Sequence, residues 1–278
     1  HKEYRRQRQM CIRDSDIALL QYTGGTTGKS KAAILTHKNL LSNVQQVSNW
    51  IEPHIKPGEE IIITALPLFH IFSFTVNCLT FLKIGAENVL IANPRDLKSF
   101  LKVLKKKKFT VMTAVNTLFN LLLTSKTFKE LNFSSFKFSV GGGMAVMSET
   151  AKNWKKITGT NITQGYGLTE TSPVVSINKI DSLYNGSIGL PVQSTNIKII
   201  DENGEKINDK QPGELCVKGP QVMSGYWKYP EDQENPFTDD GFFKTGDIAS
   251  ISEHGYLTIV DRKKDMIISS GYNVFPNE

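Results

Sequence analysis

The alternation of apolar runs with helix-like segments between Asp16 and residue 175 constrains the fold of this chain most strongly. Short runs that are almost wholly apolar, such as residues 61–65, alternate with segments whose apolar residues recur at helical spacing. One such segment follows Thr36, a residue suited to cap a helix. Continuously apolar strands are typical of sheets that are buried on both faces, so the pattern predicts a parallel sheet with helices on each side. The predicted strands are residues 17–22, 61–65, 88–92, 110–115 and 136–140.

A different pattern begins near residue 185, where short apolar runs are separated by turn signals such as Pro212-Gly213. This pattern predicts an antiparallel sheet or a small barrel. The chain is therefore predicted to be an α/β protein in which a parallel-sheet layered core precedes a small antiparallel, barrel-like subdomain. The predicted units are an α/β core at 16–184, a β-rich subdomain at 185–260 and a charged linker that starts a further domain at 261–278. Residues 1–15 lack periodicity and are excluded from the fold prediction as either a basic tail or a foreign segment.

The charge of the chain argues against a nucleic-acid-binding function. The formal net charge is +6, and half of it lies in residues 1–15, which leaves about +3 for the rest of the chain. The other basic cluster, residues 105–108, ends an amphipathic segment. Cations near the C-terminal end of a solvated helix are the favoured interpretation of this cluster. A peripheral contact with the anionic inner face of the membrane is the less favoured alternative.

The cysteines and the hydropathy pattern favour a cytoplasmic protein. Cys11, Cys78 and Cys216 are odd in number and show no metal-binding or redox spacing, so they are interpreted as reduced. The longest apolar stretch, around residues 71–82, is too short to span a bilayer and contains Asn77. No signal-peptide pattern is present.

The first motif that indicates chemistry is the sequence YTGGTTGKSK at residues 22–31, between a predicted strand and a predicted helix. Its glycines allow the backbone to approach a phosphate closely, and its hydroxyls, amides and lysines supply donors and positive charge. It is not a P-loop, because only three residues separate Gly24 from Gly28. Taken alone, it is equally a flexible strand-to-helix connection.

A second motif, QGYGLTET at residues 164–171, also lies just past a predicted strand. Tyr166 offers a ring face on which a base can stack, and Thr169 and Glu170 carry oxygen ligands of the kind that Mg²⁺ prefers. A Thr-Glu pair alone usually marks the start of a helix. Three glycines at 141–143 follow another strand, where α/β sheets bind ligands. Asp247, predicted to lie in a turn, provides a carboxylate for a ribose diol.

Together and in this order, these motifs resemble the acyl-adenylate-forming superfamily, which includes acyl-CoA synthetases, luciferase and peptide-synthetase adenylation domains. Within it they resemble the bacterial long-chain fatty-acid–CoA ligases. The resemblance extends from Asp16 to Glu278 and is carried by the segments LQYTGGTTG, LPLFHIF, NPRDL, VNTLFN, VGGGM, GYGLTE, GSIGLPV, GELCVKGPQVMSGYW, TGDIA and IVDRKKDMIISSGYNVFPNE.

The resemblance implies a role for individual residues of these segments. The residues implied to bind the β- and γ-phosphates are Thr23, Gly24, Gly25, Thr26, Thr27, Gly28 and Lys31, and those implied to hold adenine or form its pocket wall are Gly141, Gly142, Gly143, Gln164, Gly165, Tyr166 and Gly167. Thr169 and Glu170 are implied to bind phosphate and Mg²⁺, and Asp247 and Arg262 to bind the ribose. The remaining implied roles are the gate of the acyl pocket for His70, a hinge for Asp261, and the coenzyme A channel for Ser270 and Gly271. For His70, a structural histidine in an apolar stretch is the alternative interpretation.

The resemblance further implies an ATP- and Mg²⁺-dependent reaction that activates a fatty acid as acyl-AMP and transfers it to coenzyme A. Two alternatives remain open at this stage: an adenylating enzyme that delivers to a carrier protein, and a nucleotide-binding remnant without ligase activity. The family's N-terminal region and the lysine of its C-terminal domain have no counterpart among these residues. The chain is therefore interpreted as a fragment with little or no activity of its own.

Overall fold

The computed structural model describes residues 12–23, 30–207, 211–229 and 234–264, together with the backbone of residues 267–269 and 272–274. Four helices of nine residues or more lie in this part of the chain: α1 His37–Ile51, α2 Leu97–Lys106, α3 Asn116–Thr124 and α4 Ser148–Thr158. Shorter helices are Glu52–His54, Ser73–Thr80, Phe81–Lys83, Lys126–Lys129 and Thr169–Thr171. The strands are β1 Ile17–Thr23, β2 Lys31–Thr36, β3 Ile61–Thr64, β4 Glu87–Leu90, β5 Val111–Ala114, β6 Phe138–Gly141, β7 Ile162–Gly167, β8 Val174–Ile177, β9 Leu190–Pro191, β10 Asn196–Ile200, β11 Gly213–Lys218, β12 Phe243–Ile251, β13 Leu257–Arg262, β14 Ile267–Ser269 and β15 Tyr272–Val274.

A seven-stranded sheet in the order β4-β3-β5-β6-β7-β8-β9 forms the centre of the fold. Strands β4, β3, β5, β6 and β7 are parallel, and β8 and β9 extend the sheet with antiparallel pairing. Side chains such as Ile62, Ile63, Val111 and Met112 are fully buried, because adjacent strand residues point to opposite faces and both faces are covered. The predicted parallel-sheet α/β core is thus confirmed, and all five parallel strands end at the same edge.

Helix α1 begins where its sequence predicts. The hydroxyl of Thr36 accepts a hydrogen bond from Asn39 N at 3.2 Å, and the Asn39 amide oxygen accepts one from Thr36 N at 2.9 Å. This reciprocal cap satisfies two backbone donors that the first turn of a helix otherwise leaves unpaired. The apolar face, including Val47 and Ile51, packs into the cluster between the helix and the sheet.

The region around the glycine-rich motif differs from the prediction. Strand β1 was predicted to be buried and followed by a helix, but it pairs antiparallel with β2 in a separate two-stranded sheet. Its residues are only partly buried or exposed. The motif therefore connects the two strands of a hairpin, and helix α1 begins only after β2. Apolar residues in β2, such as Ala33 and Leu35, are fully buried and explain why a strand rather than a helix follows.

The β-rich part after residue 185 contains an antiparallel sheet in the order β10-β11-β12-β13. The antiparallel prediction is confirmed, but within the part of the chain that the structure describes the sheet is open rather than a closed barrel. Asp247 lies within β12, not in a turn, opposite Arg262 in β13. Asp261 and Arg262 likewise belong to β13 rather than to a linker. The run that was interpreted as a charged linker therefore starts inside this sheet.

Two smaller predictions concern hydropathy and the cysteines. Over the described ranges, every helix is too short or too polar to cross a bilayer. Cys78 and Cys216 are free thiols, and Cys11 lies outside the described residues.

Candidate functional site

A cleft of about 880 Å³ opens at the carboxyl ends of the parallel strands. Loops at this edge of a sheet converge because all the strands point the same way. The cleft collects the separate motifs of the sequence: its lining includes Thr23, Lys31, His70, Gly141, Gly142, Gly143, Gly165, Tyr166, Gly167, Thr169, Glu170, Asp247 and Arg262. Gly24, Gly25, Thr26, Thr27, Gly28, Ser270 and Gly271 lie outside the described residues.

Asp247 is buried at the junction of the central sheet and the β12–β13 pair, with 4% of its surface exposed. Its carboxylate accepts a hydrogen bond from Tyr166 Oη at 2.5 Å and pairs with Arg262 Nε at 3.2 Å. Burial raises the pKa of Asp247, and the hydrogen bond from Tyr166 and the Arg262 charge only partly oppose this effect. Burial also raises the pKa of Tyr166, so its phenol remains a donor at neutral pH.

Glu170 lies in the short helix Thr169–Thr171 and is 8% exposed. Its Oε1 accepts a hydrogen bond from Tyr226 Oη at 2.7 Å, whereas its Oε2 has no hydrogen-bond partner within the described part of the chain. No cluster of three or more His, Cys, Asp or Glu side chains in the described ranges could hold a metal alone. Mg²⁺ in nucleotide sites is held by one or two carboxylates plus phosphates, and a single carboxylate with a free oxygen fits that pattern.

Lys31 faces two tyrosines that sequence reasoning did not select. Its ammonium lies 5.3 Å from the ring centre of Tyr226 and 4.9 Å from that of Tyr229, and it donates to Tyr229 Oη at 3.3 Å. The two rings stack with centres 5.2 Å apart. Tyr226 belongs to the quoted segment GELCVKGPQVMSGYW, but only the fold shows that it reaches both Lys31 and Glu170.

Two glycines of the cleft lining lie close to neighbouring groups. A Cβ on Gly167 would lie 2.0 Å from the carbonyl oxygen of Pro173, and a Cβ on Gly142 would lie 3.2 Å from the ring of Phe72. A side chain is therefore excluded at Gly167, whereas at Gly142 it would require the Phe72 ring to shift slightly. Gln164 does not line the cleft, because its buried side chain accepts from Val146 N and donates to the carbonyl oxygen of Ser187.

The cleft continues from its polar end into an apolar region beneath α1. His70 lies on the cleft wall directly before Ile71 and Phe72, and Phe72 N donates to its Nδ1 at 3.2 Å. Partial burial of the ring lowers the pKa of His70. The apolar lining consists of Val47, Ile51, Ile71, Phe72, Val76, Phe81, Phe138, Val140, Pro173, Val174 and Ile177.

The segment after β13 is tied to the same cleft. Lys263 Nζ pairs with the buried carboxylate of Glu214 at 2.6 Å, and Lys263 N donates to Gly246 O at 2.9 Å. Glu214 also accepts from Gly246 N at 3.2 Å. Asp261, the predicted hinge residue, is 3% exposed within β13. Residues 261–264 therefore pack against the cleft wall that carries Asp247.

Comparison with known proteins identifies this combination of fold and motifs. The model of the family described as AMP-binding enzyme matches residues 2–227, which is most of the chain. The chain belongs to the AMP-binding enzyme family. The match includes most of the segment 1–15 that the sequence analysis set apart.

Relatives of this AMP-binding chain include a long-chain-fatty-acid–CoA ligase of Escherichia coli O6:H1, 54% identical over 264 residues that cover 95% of the chain and 47% of the relative. ATP-bound MatB from Rhodopseudomonas palustris superimposes with a TM-score of 0.84 at 31% identity, over 95% of this chain and 52% of that one. O-succinylbenzoate coenzyme A synthetase of Bacillus subtilis, solved with ATP and a magnesium ion, superimposes with a TM-score of 0.82 at 29% identity, over 95% of this chain and 54% of that one. The AMP-binding chain thus spans about half the length of the curated relative.

Proposed function

We propose that the full-length protein is an ATP-dependent ligase that converts a long-chain fatty acid into its acyl-CoA and releases AMP and pyrophosphate. The observation that carries the proposal is one cleft with two ends. At the polar end Lys31, Tyr166, Glu170 and Asp247 meet, and at the other end buried apolar side chains continue beneath α1. A nucleotide and an apolar acid would therefore meet in a single cavity, beside Gly141–Gly143.

The polar end of the cleft carries groups suited to bind the ribose, the adenine and the phosphates of ATP. The Asp247 carboxylate would accept hydrogen bonds from the ribose hydroxyls, with Arg262 holding it in place. The ring of Tyr166 would stack on adenine against the backbone of Gly141–Gly143. Thr23 and Lys31 would bind the β- and γ-phosphates together with the adjoining glycine-rich segment. Thr169 and Glu170 would face the α-phosphate, where negative charge increases during the reaction.

The chemistry expected in this cleft is two successive substitutions. The fatty-acid carboxylate attacks the α-phosphorus of ATP in line with the departing pyrophosphate, and the coenzyme A thiol then adds to the acyl carbon, after which AMP and the thiol proton are released. Mg²⁺ bound at Glu170 would supply neutralisation of the phosphate charge. The protein's own contribution is positioning: it holds the two reactants in contact and excludes water from the mixed anhydride.

The apolar end supports a long-chain substrate. Its lining is aliphatic and aromatic, and its floor belongs to the core cluster that includes Val47, Ile51 and Phe81. Each methylene moved from water into such a lining contributes about 0.8 kcal/mol to binding. The name of the E. coli relative supports the same substrate class.

Product analysis of the full-length protein tests the proposal. With ATP, Mg²⁺, coenzyme A and saturated fatty acids of increasing length, we expect acyl-CoA, AMP and pyrophosphate, with preference for the longer acids. Acyl-AMP that accumulates although coenzyme A is present would instead identify an enzyme that delivers to a carrier protein. Absence of both acyl-AMP and acyl-CoA would identify a nucleotide-binding remnant and refute the ligase function.

We further propose that the protein is cytoplasmic and contacts the inner face of the membrane. The supporting observation is the solvent-facing side of α2 and the residue pair that follows, where five exposed lysines form no ion pair with a described carboxylate. Near an anionic membrane each lysine contributes about 1 kcal/mol. Vesicle sedimentation should show binding to phosphatidylglycerol, little binding to phosphatidylcholine, and release by salt. Equal binding to both lipids would contradict an electrostatic contact. The lysines are Lys98, Lys102, Lys105, Lys106 and Lys108.

A further inference from the structure

Tyr226 lies at the polar end of the cleft and has no part in the two chemical steps described above. Its segment is held against β2: Trp227 N donates to Ala32 O at 2.8 Å, and Ile34 N donates to Gly225 O at 2.9 Å. Ala33 and Tyr226 form an antiparallel bridge. The backbone that carries Tyr226 is therefore fixed as an addition to the β1–β2 hairpin, and its half-buried side chain points into the cleft lining.

The hydroxyl of Tyr226 determines the position of Glu170. It donates to Oε1 at 2.7 Å, and the neighbouring Met223 N donates to the carbonyl oxygen of Glu170 at 2.7 Å. A phenol is ordinarily protonated at neutral pH, so Tyr226 acts here as an uncharged donor. The carboxylate is thus held by a neutral donor, which leaves its charge uncompensated and its Oε2 available.

The stacked rings of Tyr226 and Tyr229 together hold Lys31. The ammonium lies over the stacked rings of Tyr226 and Tyr229 rather than beside a carboxylate, and Lys31 forms no ion pair within the described part of the chain. A cation over an aromatic face keeps its full charge while it is held in place. A direct Lys31–Glu170 ion pair would cancel both charges at the point where phosphate and metal need them.

We propose that Tyr226 is a positioning residue: its hydroxyl aims Glu170 at the metal, and its ring, stacked on Tyr229, helps to hold Lys31. The proposal rests on the proposed function, because it assumes that Mg²⁺ and the nucleotide phosphates occupy this end of the cleft. It adds a residue that acts on the metal site only through Glu170 and on the phosphates only through Lys31.

The direct test measures metal affinity in the full-length protein. Mn²⁺ replaces Mg²⁺ and is titrated by electron paramagnetic resonance in the presence of α,β-methylene-ATP, which cannot be cleaved to AMP. Loss of a hydrogen bond to a metal ligand typically weakens metal binding about 10- to 100-fold. We expect Tyr226→Phe to weaken Mn²⁺ binding about 10-fold, because it removes the hydroxyl and keeps the ring.

Tyr229→Phe is the matched control. It also removes one hydroxyl from the stacked pair, but that hydroxyl contacts Lys31 and the carbonyl oxygen of Glu234 rather than Glu170. Its Mn²⁺ affinity should equal that of the wild type. Tyr226→Leu removes both ring and hydroxyl, and it should raise the KM for ATP in addition to weakening Mn²⁺ binding. Circular dichroism on each variant verifies that the fold is retained.

A double-mutant cycle tests whether Tyr226 affects metal binding through Glu170 or independently of it. If Tyr226 acts through Glu170, then Tyr226→Phe should have no further effect on Mn²⁺ affinity in a Glu170→Gln background. Equal Mn²⁺ affinity in wild type and folded Tyr226→Phe would overturn the positioning role, and so would additive effects in the cycle. Failure of the proposed function is a separate result, since there the wild type itself would form neither acyl-AMP nor acyl-CoA.

Discussion

The two ends of the parallel sheet hold their buried carboxylates in different ways. At the amino end, Glu60 precedes β3 with its side chain fully buried and is paired with Lys137, which precedes β6. Its Oε1 also accepts a hydrogen bond from Lys56 N at 2.6 Å. At the carboxyl end, Glu170 and Asp247 each accept a hydrogen bond from a phenol, and Asp247 is also paired with the exposed Arg262. Glu170 thus has a neutral donor where Glu60 has a lysine, so the charge of Glu170 remains available for a ligand.

The pKa shifts follow the same division. Burial alone would raise the pKa of Glu60, but hydrogen bonds from Lys137, Thr110 and Lys56 N lower it below its ordinary value. Glu60 therefore adds stability above the unfolded-state pKa, and this contribution is lost as the pH falls through the folded-state pKa. Burial raises the pKa of Asp247, so its ionised form costs stability at neutral pH. At neutral pH, therefore, the ionised Asp247 lowers the stability of the fold, whereas the ionised Glu60 raises it.

Lys137→Met should have the largest effect of the changes that test this division. It leaves the fully buried Glu60 carboxylate without a cation, which costs about 3 kcal/mol of unfolding free energy at pH 7. The loss should shrink as the pH falls towards about 4.3, the ordinary value for Glu, because a buried carboxyl without its lysine takes up a proton above that pH. Urea unfolding at both pH values measures this, with the exposed, unpaired Lys152→Met as control. A loss independent of pH would indicate a packing effect instead.

In contrast to Lys137→Met, Glu170→Gln should lower the activity strongly and change the unfolding free energy only slightly. The amide keeps an oxygen to accept the Tyr226 hydrogen bond but loses the anionic ligand for Mg²⁺. Metal-assisted charge neutralisation contributes several kcal/mol, so we expect adenylation to fall about 100-fold. Pyrophosphate release by the full-length protein measures the rate. An unchanged rate would remove Glu170 from the metal site.

Asp247→Asn should weaken nucleotide binding about 10-fold, since a charge-assisted hydrogen bond becomes a neutral one. Because the ionised Asp247 costs stability at pH 7, the variant should unfold at the same or a slightly higher urea concentration. Calorimetry with ATP and with 2′,3′-dideoxy-ATP isolates the ribose contacts. Wild type and variant should bind the dideoxy nucleotide equally; a 10-fold difference there would contradict ribose binding by Asp247.

His70→Ala should have the smallest effect, because His70 lies where the polar lining meets the apolar lining and contacts neither Glu170 nor Asp247. We expect the KM for a long-chain acid to change about threefold, which corresponds to ~0.6 kcal/mol, while the KM for ATP stays the same. Steady-state kinetics with each substrate varied in turn measures both constants. A larger effect on ATP than on the acid would place His70 at the nucleotide.

Local patterns were sufficient to predict most of the parallel strands, the Thr36 cap and the antiparallel region, although β7 includes residues 164–167, which were predicted to lie just past a strand. The β1–β2 hairpin was not predicted, because the run that forms β2 is compatible with either a strand or the start of a helix. What decides for a strand is tertiary: Leu35 and Ala33 are buried against Leu40 and Met223 in a cluster that the sequence does not show.

Many of the cleft residues were predicted from their motifs, but Tyr226, Tyr229 and the partners of the predicted residues were not. Asp247 was predicted as a ribose ligand in a turn, whereas its bonds to Tyr166 and Arg262 require the pairing of β12 with β13. Tyr226 reaches Glu170 across 56 residues of chain, and Lys137 reaches Glu60 across 77. Spacing along the sequence contains no signal for such pairs, since they arise only when the sheet brings distant elements together.

The short segment 223–227 lies between the glycine-rich hairpin and Glu170, the proposed metal ligand. Its backbone bonds to β2 through Gly225 and Trp227 and to Glu170 through Met223. One stretch of main chain is thus bonded both to the hairpin and to the backbone of Glu170. We expect a displacement of the hairpin, by a ligand or by a substitution, to move Glu170 through these bonds.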